Sequence, residues 1–95
     1  MTAYEQYGFR LEGKNKYVKH MELKTGRALD NREIRVVVVP KYGMIEYTVS
    51  LVELSTCARK RLAAGSVKEG IIEDTLGDIL SAADKLRQVF TVLKA

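Results

Sequence analysis

The chain has 95 residues, 46% of them hydrophobic and 29% charged, with a net charge of +4. That composition describes one small globular domain, able to bury roughly 60–65% of its unfolded surface. It excludes an internal disulfide scaffold, since Cys57 is the only cysteine, and it contains no run of about 18 apolar residues to span a membrane. No charged-then-apolar leader opens it, so the expected location is the cytoplasm.

In chain order, Tyr7, Phe9 and Leu11 alternate with Gly8, Arg10 and Glu12, a period of two that predicts a strand. Gly13-Lys14-Asn15 predicts a tight turn, because glycine and asparagine tolerate positive φ. The alternation returns from Lys16 to Lys24, with Tyr17, Lys19, Met21 and Leu23 on one face and Val18, His20, Glu22 and Lys24 on the other. Thr25 to Arg32 is a polar connection. Ile34 to Val39 is the strongest strand signal, a β-branched run interrupted only by Arg35, and Pro40 closes it. Lys41-Tyr42-Gly43 predicts a hairpin tip, followed by a fourth strand in which Ile45, Tyr47 and Val49 face away from Glu46 and Thr48.

Two capping-box patterns follow, Ser50-Leu51-Val52-Glu53 and Ser66-Val67-Lys68-Glu69. In each, the serine hydroxyl would accept from an early helical N–H and the glutamate would reach back to the serine. They predict a short helix over 51–64, stopped by Gly65, and a long helix over 67–94. In the long helix Ile72, Leu76, Ile79, Ala83, Leu86, Phe90 and Leu93 recur at alternating steps of four and three, an a/d seam broadened by Leu80, Ala82 and Val89. Gly70 and Gly77 weaken it by about 1 kcal/mol each relative to alanine, so packing must hold it.

The charge is unevenly distributed. Arg10 to Lys68 contains 13 Lys/Arg against 6 Asp/Glu, an excess of +7, whereas Glu69 to Ala95 contains 3 against 5. A basic front part and an acidic helix suggest that one meets polyanions while the other packs or pairs. Lys14, Lys16, Lys19, Lys24, Arg35 and Lys41 are spread over the predicted sheet, with Tyr17, Tyr42 and Tyr47 interleaved. Cations that neutralise phosphates beside rings that stack on bases are what single-stranded nucleic acid requires. Each residue singly also has a plain reading, lysine as edge protection and tyrosine as core.

Catalytic chemistry finds no support. His20 is the only histidine, no Ser/His/Asp or Cys/His arrangement can be specified, and there is no glycine-rich phosphate loop. Glu69, Glu73, Asp74 and Asp78 suit the positive end of a helix without any metal. The expectation is a protein that is not an enzyme and uses no cofactor or metal.

Arg32-Glu33-Ile34-Arg35-Val36-Val37-Val38, a hairpin, and Tyr47-Thr48-Val49-Ser50-Leu51-Val52-Glu53-Leu54 leading into a helix resemble the single-stranded-DNA-binding coactivators of the positive-cofactor-four type. The resemblance covers Lys16 to Leu62 and rests on strand order and a serine-capped helix. It implies a curved antiparallel sheet, helix-mediated dimers and a basic, aromatic grip on single-stranded DNA. The helix lacks the tryptophan often found there, and a second, longer helix follows. In that plan the chain is similar to the ThermoDBP-related proteins of thermophilic archaea, which bind single-stranded DNA and associate through helices.

The expected fold is therefore α+β: a four-stranded antiparallel sheet (7–49), a short helix and a long C-terminal helix packing on one face, on a partner subunit, or on both. The expected function is sequence-tolerant binding of single-stranded nucleic acid, most readily DNA, by a homodimer or tetramer joined through Ile72 to Leu93. A protein-interaction module that uses the long helix without nucleic acid is the alternative. Whether the Tyr17 face or the Val18 face of the sheet is exposed depends on register, because a slip of one residue exchanges them.

Overall fold

A computed structural model describes residues 2–23 and 31–93, with side chains as far as Phe90. Lys24, most of the 25–32 connection, the side chain of Leu93 and the last residues of the expected 67–94 helix lie outside the described residues. The elements are α1 (Ala3–Gln6), β1 (Arg10–Leu11), β2 (Tyr17–Glu22), β3 (Arg32–Lys41), β4 (Met44–Glu53), β5 (Arg59–Lys68) and α2 (Ile72–Leu93). The five strands form one antiparallel meander in the order β1-β2-β3-β4-β5. The α+β class holds. The strand count is five rather than four, and the short helix over 51–64 does not form.

The fifth strand stands where that helix was expected. β3 and β4 pair along ten positions, from Arg32 opposite Glu53 to Lys41 opposite Met44. Every residue of the Ser50–Glu53 box thus already has a partner strand, and the β-branched Val49 and Val52 favour staying in it. Ser50 is 8% exposed within the ladder, not at a helix start. After a connection in which Cys57 takes φ 60°, the chain returns along β4 as β5. Val49 pairs with Ala63 and Ser50 with Arg61, so Leu62 is the extra residue of a bulge. Ser66 pairs with Glu46 in β5, and the helix starts at Ile72 rather than Val67.

The first strand is also shorter than its alternation suggests. Thr2 and Glu5 form a capping box, Thr2 Oγ1 accepting from the Glu5 N–H at 3.3 Å. The turn of helix it starts runs to Tyr7, leaving only Arg10 and Leu11 for β1. Both expected turns form. Asn15 has φ 59°, and Tyr42 and Gly43 have φ 52° and 77° between the paired Lys41 and Met44. Two central residues at positive φ make a type I′ turn, whose twist matches that of the strands.

α2 covers one face. Phe9, Leu23, Ile34, Val36, Val38, Ile45 and Val49 enclose Leu76, Ile79 and Ala83 in one core, with Ile72, Leu80, Leu86 and Phe90 packed around it. The register puts Tyr17, Met21, Tyr47 and Val67 on this covered side. The Val18 face is the one α2 does not cover, although Val18 and Val52 on it are each only 2% exposed. No helix among the described residues is long and apolar enough to cross a membrane.

Candidate nucleic-acid interface

One end of the sheet carries a group of basic residues. The β1–β2 turn carries Lys14 and Lys16, both exposed, and the β3–β4 turn carries Lys41 and Tyr42. Asn15 ties the two turns together: its Nδ2 donates to the Pro40 carbonyl at 3.1 Å. Asparagine suits that place twice, since it tolerates positive φ and its amide reaches a neighbouring carbonyl. Tyr42 stands 95% exposed beside this tie. A shallow groove of about 450 Å³ runs between the turns, lined by Asn15, Pro40, Lys41, Tyr42, Gly43 and Glu69. Lys68, opposite Met44 at the end of β5, belongs to the same end. Sequence reasoning missed Lys68, because only the pairing of β5 brings it there.

The other expected contact residues are distributed differently. Tyr17 stacks on Tyr4 with ring centroids 4.0 Å apart and 7° between planes, and it packs on the core side. Tyr47 also lies on the covered side, its ring across Gly65. Lys19 Nζ donates to the Tyr7 carbonyl at 2.7 Å, which fastens α1 to β2. Arg35 is on the open face, where its Nε donates to Glu33 at 2.9 Å. Lys14, Lys16, Lys41 and Tyr42 are therefore brought together, while Tyr17, Lys19, Arg35 and Tyr47 hold the fold. Of the seam residues, Ile72 to Phe90 lie against the chain's own sheet.

Arg35 is part of a charged chain that runs from Glu12, just after β1, across β2 to β3. His20 Nδ1 lies 2.5 Å from Glu33 Oε2 and its Nε2 2.8 Å from Glu12 Oε2, both within hydrogen-bonding distance. A carboxylate at each ring nitrogen favours the protonated ring, the one form that can donate from both nitrogens. Burial alone would lower the His20 pKa, but the hydrogen bonds and charges of Glu12 and Glu33 outweigh it and hold the pKa above its ordinary value. Glu12 is held below the usual carboxylate value, first by its hydrogen bond from His20. With its ring nitrogens committed in this way His20 has a structural role, and among the described residues no group of three or more His, Cys, Asp or Glu is placed to hold a metal ion.

The open face also carries Arg59 and Arg61 at the far end of β5, with Lys60 on the covered side, as strand alternation requires. Comparison of the chain with protein-family models, curated proteins and solved structures finds no match.

Proposed function

We propose that the protein binds single-stranded nucleic acid, DNA in the first instance, without strong sequence preference, at the sheet end formed by Lys14, Lys16, Lys41 and Tyr42. The observation that carries this reading is the Asn15–Pro40 hydrogen bond, which ties the turn bearing Lys14 and Lys16 to the turn bearing Lys41 and Tyr42, whose ring is 95% exposed. Holding an aromatic ring almost wholly in water has no folding benefit. A base stacking on such a ring contributes about 1–3 kcal/mol, and any base can do so. The lysines would neutralise the flanking phosphates. Paired bases hide their faces, so a duplex would gain only the electrostatic part.

The test is fluorescence anisotropy with a labelled mixed-sequence single strand, its duplex and the matching RNA across a salt series. The expected result is preference for single strands, with a salt slope that drops by about 2 when Lys14, Lys16 and Lys41 are reversed to glutamate, at about 0.7 per lost phosphate contact. Unchanged binding after that triple reversal would reject the surface. No binding to any of the three at low salt would reject the function and favour a protein-interaction role.

A further inference from the structure

The outer rim of β5 is open. β5 is the last strand of the sheet and pairs only with β4; at its end the Lys68 carbonyl accepts from Thr75 Oγ1 at 3.5 Å, while from Ala63 to Val67 its outward backbone groups bond to no described residue. Long edge strands are templates for further pairing unless something blunts them. Here the Leu62 bulge and the Arg59-Lys60-Arg61 cations blunt one end. From Ala63 to Val67 the strand has no charge, no proline and mostly small side chains.

Over the middle of that stretch lies an unused polar group. The Tyr47 ring crosses Gly65 on the covered side, its hydroxyl 2.8 Å from where a Cβ would stand. The ring is half-buried, and the hydroxyl has no hydrogen bond to any described residue. An aromatic ring laid over an edge glycine shields its backbone and brings the hydroxyl out to the rim.

We propose that β5 pairs with β5 of a second copy, antiparallel about a two-fold axis perpendicular to the sheet, with Gly65 opposite the partner's Gly65. A two-fold axis makes an isologous contact, so one edge must complement itself. This register does so in three ways. It sets Ala64 opposite the partner's Ser66 and Ala63 opposite the partner's Val67, all without charge. It brings the two Tyr47 hydroxyls together over a glycine pair, where each becomes the other's hydrogen-bond partner. It also places the two cationic triplets at opposite ends of the joint, ten residues or about 33 Å apart at strand spacing, far beyond a Debye length of about 8 Å. Parallel pairing would set the triplets side by side, and a foreign strand would leave the hydroxyl unmatched.

The joined sheet has ten strands, both α2 helices on one side and both open faces on the other. Each basic end, with Lys68 in it, then lies alongside the partner's Arg59 and Arg61. Resting on the nucleic-acid reading, this makes the interface composite: a strand on the Tyr42 end of one copy continues onto cations of the other.

The pairing is tested without nucleic acid. In a Cys57→Ser background, Ala64→Cys and Ser66→Cys single variants are mixed in equal amounts and mildly oxidised, with Ser81→Cys on the exposed side of α2 as control. Residues 64, 66 and 81 are all exposed, and circular dichroism checks that each variant folds. The expected result is a mixed 64–66 disulfide in preference to either homodisulfide, and wild-type sedimentation that moves from monomer to dimer with concentration. Cross-linking no greater than the Ser81→Cys control, or a wild type that stays monomeric throughout, overturns the proposal. A dominant Ser66→Cys homodisulfide overturns the Gly65 register.

Discussion

Tyr42 combines an exposed ring with a backbone conformation that carries a small cost to folding. It holds φ 52°, a region that side chains other than asparagine, aspartate and glycine adopt reluctantly. Tyr42→Asn creates an Asn-Gly turn, the preferred type I′ pair, while removing the ring. The expected outcome is an unchanged or higher Tm by calorimetry together with about tenfold weaker single-strand binding, the loss of one stacked base. Equal affinity in this variant would remove Tyr42 from the interface.

His20 gives the residue scale a pH dependence whose sign follows from its partners. Its folded pKa is raised above the ordinary value of 6.5. Its contribution is therefore fully present below 6.5 and is lost as pH rises through the folded value. Glu12, lowered from 4.5, acts oppositely: its contribution is present above 4.5 and lost as pH falls through its folded value. Thermal stability should peak between pH 4.5 and 6.5 and decline as pH rises above 6.5. In His20→Gln, a Tm measured over the same range should lose that alkaline decline.

At the scale of elements, β5 and α2 show when local signals prevail. Leu62-Ala63-Ala64 are good helix formers, and the serine boxes on either side read as helix starts. They yield to β4, whose ten-residue ladder with β3 leaves a long second edge for the returning chain. Ser66 consequently caps nothing. Ser66→Ala should change stability by less than about 0.5 kcal/mol, against about 1 kcal/mol for a true N-cap, in urea denaturation. α2 behaves as its periodicity dictates, because the seam has a surface to meet. Leu76 is 0% exposed in the middle of it, so Leu76→Ala should cost about 3 kcal/mol, whereas Val89→Ala, at 51% exposure, should cost under about 0.5.

For the whole molecule, the fold sorts charge by side. The strands and their turns carry the basic excess and α2 carries acids, so the proposed function predicts that a polyanion meets the sheet end rather than the helix. A bound mixed-sequence single strand should therefore protect Lys14, Lys16 and Lys41 from an amine-acylating reagent and leave Lys85, exposed on α2, fully reactive. Mass spectrometry of the modified peptides reads this directly, and equal protection of Lys85 would contradict the sidedness.

What the amino-acid order alone determined is what depends on neighbours a few residues apart. The β2 and β4 alternations, the β-branched β3, the Asn15 and Tyr42-Gly43 turns and the α2 seam are local patterns, and each takes the form its pattern dictates. The basic character of the sheet is legible in the same way. What only the tertiary structure decided depends on which surfaces meet. α2 lies on the Tyr17 face, which turns Tyr17 and Tyr47 inward and leaves Tyr42 as the ring in water. The length of β3 and β4 makes a strand of a segment with helical composition, and that strand delivers Lys68 to the basic end and leaves an open edge. Such outcomes are set by pairing and burial between residues far apart in sequence, where the energy of a shared ladder and core outweighs the few tenths of a kcal/mol that separate local preferences.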